Sequence, residues 1–371
     1  MVTKPPPGMV KQVPLAPRTT MGCGGPARLF ASIADADGAR DAVAWANQSG
    51  TRWWLLGGGS NVLVADEGLD GLVLQPTDGS RHAGQERDGE VEVQVGAGHD
   101  WDELVAWSVA QGLAGIECLS GIPGLAGAAP IQNIGAYGQS IADCLVAVQA
   151  LDCAAEELRE WTAEECGFSY RDSVFKRAGR GRFLVTSLRL RLRAAGRATL
   201  AYAELRRRLG VTEASAGNGG APTLRQVREA VLALRRGKGM VIDPADPDSR
   251  SAGSFFLNPI VDQATALQVK ERMAARASMP SWRMDPRDGR AQVKLSAAWL
   301  IEQSGMKRGF GDGPVGLSSK HTLAVVNRGG ASTLQVLNFA AEVRQRVLDR
   351  CGVRLEREPV VLGPHGDGPL D

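Results

Sequence analysis

The chain has 371 residues, enough for two or three domains rather than one core. Hydrophobic residues make up 43% and charged residues 23%, the balance of a globular protein, and a net charge of +2 gives no electrostatic case for a nucleic-acid partner. The six cysteines (Cys23, Cys118, Cys144, Cys153, Cys166, Cys351) are scattered with no CxxC and no Cys/His cluster, which argues against a zinc site and a disulfide framework and fits a reducing cytoplasm.

In chain order, "MVTKPPPGMVKQVPLAPR" (1–18) is broken by prolines and has no continuous apolar core. It is not a signal peptide and is read as a flexible extension. No run is long and apolar enough to cross a bilayer, so a cytoplasmic location without a membrane partner is expected. "DADGARDAVAWANQSG" (35–50) is a predicted helix that Asp35 or Asp37 could cap and Gly50 could stop. "RWWLL" (52–56) is a short buried strand entering three glycines. "EVEVQVGAG" (90–98) alternates as a half-buried strand does. In "DWDELVAWSVAQG" (100–112), Asp100 and Glu103 resemble a capping box, Trp101, Leu104, Val105 and Val109 share a face, and Gly112 ends the helix. "RFLVTSLRLRLR" (182–193) alternates leucine with arginine, which reads as a strand with one wet face rather than a basic binding patch.

Further on, "GVTEASAGNGGAP" (210–222) has the composition of a flexible boundary. The spacing predicts an amphipathic helix over 223–239, with Leu224, Val227, Val231 and Leu234 inward. "IDPADPDSRSAGS" (242–254) is a loop. The clearest helix spans 332–352, with a Ser332/Gln335 capping box, apolar spacing at Leu334, Leu337, Val343 and Val347, and Gly352 at its stop. There is no internal repeat. Helices and strands interleave in both halves, so the class is α/β or α+β.

Two glycine-rich loops stand out. "LLGGGSN" (55–61) follows a strand, and "LSGIPGLAGAAPIQNIGAYG" (119–138) carries glycines and neutral polar residues without a charge. Missing Cβ atoms let backbone N–H groups come close to an anion, though a plain tight turn fits one such cluster equally well. Neither loop is a G-x-G-x-x-G or Walker A sequence. Two of them could wrap one long diphosphate ligand.

The stretches "GGGSN", "GIPGLAGAAPIQNIGAYG", "YRDSVFK", "SAGSFFLNP" and "LEREPVVLG" occur in the order found in the UDP-N-acetylenolpyruvoylglucosamine reductase family, flavoenzymes of peptidoglycan precursor synthesis. The resemblance runs from about Thr19 to Gly363. It implies an α+β fold: an FAD-binding module of the PCMH (vanillyl-alcohol-oxidase) type in two subdomains over 19–195, split near 76, then a C-terminal α+β substrate-binding domain over 196–363. Residues 1–18 and 364–371 are then loose ends. It also implies non-covalent FAD, NADPH, a UDP-sugar substrate, no metal and a monomer. Another FAD oxidoreductase or oxidase of the same fold is the alternative, and a flavin- or nucleotide-binding sensor without turnover is a third reading.

The resemblance assigns FAD binding to Gly57, Gly58, Gly59, Ser60, Asn61, Gly121, Ile122, Pro123, Gly124, Ala128, Gln132, Asn133, Gly135, Ala136, Tyr137 and Gly138. Small neutral residues suit that task, because charge or bulk would disturb the ring's electronics or its fit. Arg171, where an arbitrary arginine is more often a partner of Asp172 or another acid, takes the role of gripping the enolpyruvyl carboxylate. Ser254, by itself an ordinary turn residue, takes the role of proton donor. Glu358 takes that of hydrogen-bonding the carboxylate; alternation alone does not separate it from Glu356. Tyr170, Tyr202, Lys238, Asn258 and His321 match substrate-side positions, Tyr202 being the tyrosine that in one subclass closes over the substrate diphosphate. A loop lysine is more often merely solvated, and tyrosines more often merely pack.

Overall fold

The computed structural model describes residues 4–177, 179–211, 221–273, 279–287 and 290–363. The flexible stretch expected over 210–222 falls mostly, and the expected tail at 364–371 wholly, outside the described residues. The chain divides into two compact units, each discontinuous in sequence. The first is Met1–Val13, Ala27–Gly59 and Leu69–Gly237; the second is Pro14–Pro26, Ser60–Gly68 and Lys238–Asp371. The sequence reading placed one boundary at 195/196. In the structure residues 196–237 group with the first unit, and residues 14–26 and 60–68 with the second.

The first unit is built on two sheets. One holds β1 (Val10–Pro14), β2 (Pro26–Ile33), β5 (Leu69–Pro76) and β3 (Trp53–Leu55) in that order, with β2 and β3 both parallel to β5. Residues 10–18 are therefore not a flexible extension: β1 joins a sheet, a 3-10 turn follows at Ala16–Arg18, and Leu15 is fully buried. Prolines do not prevent this, because β1 is an edge strand with only one side to bond. Helix α1 (Ala36–Gln48) is capped by Asp35, whose carboxylate accepts from Gly38 N–H at 2.7 Å. Its small residues Ala39, Ala42 and Ala46 pack beside Leu29, Leu72 and Leu74 of this sheet.

The second sheet runs β12 (Glu157–Thr162), β11 (Leu145–Asp152), β13 (Phe183–Ala194), β7 (Glu90–Gly96), β6 (Arg81–Ala83), all antiparallel, with β8 (Leu113–Ala114) also on β13. β13 has the expected wet face. Leu188, Leu190 and Leu192 are buried, while Arg189 and Arg191 reach Glu160 and Glu92 at 3.1 and 2.9 Å. Helix α2 (Trp101–Ala110) is capped by Asp100 and buries Trp101, Leu104, Val105 and Ser108 in this unit's core. Val109 packs half-buried against the same core, as expected, and Ser108 is buried beside it; its hydroxyl donates to Val105 O at 2.9 Å, which lets a polar residue sit inside. β9 (Gly135–Ala136) and β10 (Gln139–Ser140) form a hairpin. Helices α3 (Ala203–Arg208) and α4 (Leu224–Arg236) complete the unit, α4 opening on a Thr223/Gln226 capping box.

The second unit has an antiparallel sheet of β14 (Ile260–Asp262), β16 (Arg290–Leu295) and β15 (Ser281–Arg287), and a pair β17 (Val315–Leu317) with β18 (Val325–Asn327). β4 (Val62–Val64) lies parallel to β19 (Val360–Leu362). Helices α5 (Gln263–Arg272), α6 (Ala297–Gln303) and α7 (Thr333–Cys351) cover one apolar core. α7 has the Ser332/Gln335 box and ends at Gly352 with φ 74°. Leu334 is 57% exposed, contrary to expectation. The helix instead turns Thr333 and Val336 inward, because Thr333 Oγ1 donates to Val64 O at 2.6 Å and Asp66 accepts from the N–H groups of Thr333 and Leu334. These bonds fix the helix phase. No helix among the described residues is long and apolar enough to cross a membrane.

Candidate active site

In the first unit the two glycine loops meet backbone to backbone. A Cβ placed on Gly58 would stand 2.6 Å from Gly124 Cα, so only glycine allows the approach. Gln75 Nε2 donates to Gly57 O at 3.0 Å and Trp101 N–H to Gly124 O at 3.0 Å, which hold the two loops from outside. A surface made of backbone, without side chains, fits a diphosphate-bearing cofactor, whose oxygens need N–H donors at close range. Ser60 and Asn61, the end of the first loop, belong to the second unit.

Asp102 anchors the second loop. Its Oδ1 accepts from Gly121 N–H and from Arg228, each at 2.6 Å, and its Oδ2 accepts from Arg228 at 2.9 Å. Burial pushes this carboxyl up, but the Arg228 and Gly121 hydrogen bonds, with the charges of Arg228 and Arg235, outweigh it and hold the group below its usual range. Neither Asp102 nor Arg228 nor Arg235 was singled out in the sequence. Arg228 and Arg235 are seven residues apart on α4, hence on one face, and that spacing was the available signal.

The segment "PIQNIGAYG" is shaped by its hairpin. Tyr137 (φ 48°) and Gly138 (φ 86°) are the two central residues between β9 and β10, both left-handed, as a type I′ turn requires. Asn133 is also left-handed at φ 45°. Its side chain donates to Ser169 O at 3.0 Å and accepts from Ala142 N–H at 3.3 Å, so its amide ties three segments together. Arg171 is a third left-handed non-glycine residue, at φ 54°. Its guanidinium donates to Asn133 O at 3.2 Å and Gly135 O at 2.7 Å, and lies 5.9 Å from the Tyr170 ring centre. Asp172 pairs with Arg177 instead, at 2.5 Å. Strained backbone of this kind costs about 1–3 kcal/mol per residue and gathers where function imposes it.

Tyr137 and Tyr202 meet edge to face, ring centres 5.5 Å apart at 89°. Burial pushes the Tyr137 hydroxyl up to about 12 and raises that of Tyr202. Burial also pushes the Arg235 guanidinium down to about 10, with Tyr137 and Asp102 opposing that shift and Arg171 adding to it. Arg171, against Tyr170, and Arg235, near Tyr137, thus stand within each other's field, a setting suited to an anionic ligand, with Glu204 as the acid that acts on Tyr137 and Tyr202.

In the second unit the chain brings Ser254 and Glu358 onto neighbouring segments. Glu358 N–H donates to Phe255 O at 3.0 Å, Leu257 N–H donates to Glu356 O at 2.9 Å, and Phe256 and Arg357 form the bridge between them. Glu356 is exposed and Glu358 half-buried, a distinction that alternation alone did not give. Among the described residues the half-buried Ser254 hydroxyl has no hydrogen-bond partner. Asn61 joins this group: its O accepts from Val360 N–H at 3.0 Å and its amide reaches Glu358 O at 3.5 Å. His321 Nδ1 accepts from Leu323 N–H at 3.0 Å, and Leu323 O accepts from Phe255 N–H at 2.8 Å, so the histidine loop braces the serine segment. Asn258 Oδ1 accepts from Ala297 N–H at the start of α6. Lys238 is half-buried.

Two family descriptions match the sequence: "FAD binding domain" over residues 27–160 and "UDP-N-acetylenolpyruvoylglucosamine reductase, C-terminal domain" over residues 244–362. The chain is 48% identical over 358 residues to the UDP-N-acetylenolpyruvoylglucosamine reductase of Thermobifida fusca, covering 95% of this chain and 98% of that one. It is 48% identical to the reductase of the same name from Saccharopolyspora erythraea, covering 94% of each. Among solved structures, the UDP-N-acetylenolpyruvylglucosamine reductase of Thermus caldophilus superposes with a TM-score of 0.61 at 24% identity, over 95% of this chain and 97% of that one, a likeness of fold.

Proposed function

The chain belongs to the UDP-N-acetylenolpyruvoylglucosamine reductase family, and from that premise we propose how its own residues divide the work. The protein is an FAD- and NADPH-dependent oxidoreductase of peptidoglycan synthesis that converts the enolpyruvyl ether of UDP-N-acetylglucosamine to UDP-N-acetylmuramate. When bound, FAD supplies two-electron carrier chemistry, relaying hydride from NADPH to C3 of the enol ether. The glycine loops, Gly57–Gly59 and 121–128, with the 132–138 hairpin, are the residues that would hold it.

Arg171 binds the enolpyruvyl carboxylate. Reduction at C3 pushes negative charge into that carboxylate, and a guanidinium fork already oriented by two backbone carbonyls meets it without reorganising. Glu358 hydrogen-bonds the same carboxylate as its enol form develops. Ser254 donates the proton that C2 requires; a hydroxyl is a weak acid, so it acts only against a strongly basic carbon. Tyr202 and Lys238 contact the diphosphate, and Tyr170, Asn258 and His321 the rest of the nucleotide.

The observation that carries these roles is Arg171 held in a left-handed backbone with its fork fixed on Asn133 and Gly135. The test is anaerobic. NADPH should bleach the yellow protein, and the enolpyruvyl nucleotide should restore the colour faster than air does. Faster recovery in air would mark an oxidase and defeat the reading.

A further inference from the structure

We propose that Glu117 is a positioning residue for Tyr202: its buried carboxylate fixes the root of the strap that carries this tyrosine. The role for the diphosphate that follows from it rests on the reading of Tyr202 given above.

Glu117 is fully buried, in the 3-10 turn Glu117–Leu119 that leads into the second glycine loop. Three donors surround it. Gly115 N–H reaches Oε2 at 2.8 Å, and Gln139 Nε2 and Thr199 N–H reach Oε1 at 2.8 and 2.7 Å. All three partners donate, so both oxygens act only as acceptors, the pattern of a carboxylate. Such a group is tolerated inside only when satisfied in this way.

The partners show what the knot does. Gln139 follows the Tyr137–Gly138 turn, and its Oε1 accepts from Cys118 N–H at 2.7 Å. Thr199 lies in the irregular strap between β13 and α3, three residues before Tyr202. The strap is held there by every polar group of one residue: Thr199 N–H by Glu117, Thr199 Oγ1 by Gln139 Nε2 at 2.9 Å, and Thr199 O by Cys118 Sγ at 3.3 Å. Beyond Thr199, among the described residues, the strap's hydrogen bonds run to its own helix, Arg206 donating to Leu200 O at 2.8 Å and Ala201 O at 3.0 Å, while Leu200 packs against the small core of Cys118, Leu205 and Val227. Gly138 makes room for it, since a Cβ there would stand 2.8 Å from Ala201 Cβ. Glu117 therefore binds the turn bearing Tyr137 and the strap bearing Tyr202 to one point, and the two rings meet as a result. Tyr202 as a residue is nevertheless 43% exposed, so the knot fixes its strap without burying it wholly.

The test uses the full FAD-loaded chain and Glu117→Gln, which keeps the shape but sets an NH₂ group against a donor whichever way it is oriented. The chain has three tyrosines, so incorporated 3-fluorotyrosine gives three fluorine resonances, assigned by single Tyr→Phe variants. The Tyr202 resonance should move and narrow in Glu117→Gln while that of Tyr170 stays. KM for the enolpyruvyl nucleotide should rise by about tenfold, a larger change than that in the rate at which NADPH reduces the flavin. The double variant Glu117→Gln/Tyr202→Phe should be no worse than Tyr202→Phe alone. If Glu117→Gln does not fold, Thr199→Val, which removes only the Oγ1 acceptor, should show the same changes in smaller measure. An unmoved Tyr202 resonance in the folded variant overturns the positioning. A moved resonance with an unchanged KM, or fully additive variants, overturns its link to the diphosphate.

Discussion

Replacing Asp102 with asparagine tests whether the second glycine loop is held electrostatically. In the native chain Asp102 takes two hydrogen bonds from Arg228 and one from Gly121 N–H. The amide keeps an acceptor for Gly121, but its NH₂ faces an Arg228 donor, and a guanidinium only 16% exposed loses its counter-charge. Breaking a fully buried pair costs about 3–5 kcal/mol. The Asp102 side chain is 34% exposed, so water screens part of this and the expected loss falls to roughly 1.5–3 kcal/mol. For a unit of this size that is a drop in Tm of roughly 3–12 °C. The pH dependence has a definite sign. The folded state lowers the Asp102 pKa, so the stabilisation is complete above the unfolded value of about 3.9 and is lost as pH falls through the lower folded value. Melting curves of wild type and Asp102→Asn, both with FAD, should therefore lie apart at neutral pH and converge in acid. Equal melting at neutral pH, or a gap that persists unchanged in acid, would refute the argument.

Gly58→Ala should lose FAD affinity without global unfolding, because its methyl would collide with the backbone of Gly124; flavin absorbance after gel filtration reads this, and full retention of the yellow colour would contradict it. Ser254→Ala should leave flavin reduction by NADPH near the wild-type rate and slow reoxidation by the enolpyruvyl nucleotide about 10²–10⁴-fold. Stopped-flow absorbance separates the two halves, and equal slowing of both would make Ser254 merely structural. Tyr202→Phe should raise KM for the nucleotide by roughly ten- to a hundredfold, one hydrogen bond to a charged group, and an unchanged KM would remove Tyr202 from the site. Acid precipitation should release free flavin into the supernatant, since the binding proposed is non-covalent; colour retained in the pellet would show a covalent link.

What the sequence determined by itself was local or inherited. Asp100 and Ser332 cap their helices as read, and Asp35 is the one of the two candidates Asp35 and Asp37 that does so, because a cap bonds an N–H three residues away and needs nothing else. The β13 alternation was legible for the same reason: a period of two is written in consecutive residues. The family motifs named the cofactor and the candidate side chains, although spacing alone could not choose Glu358 over Glu356. The tertiary structure decided what depends on distant partners. Residues 60–68 fold with the second unit because β4 finds its parallel partner in β19, near the other end of the chain. Leu334 faces water because Asp66 and Val64 set the phase of α7, against its apolar spacing. Prolines did not prevent β1 from joining a sheet, because the strand is at its edge. Glu117 and Asp102 read as ordinary surface acids in any sequence window. A carboxylate's role is set by the donors that surround it, and here all of them except the neighbouring Gly115 come from residues 19 to 126 positions away, whose convergence no local pattern encodes.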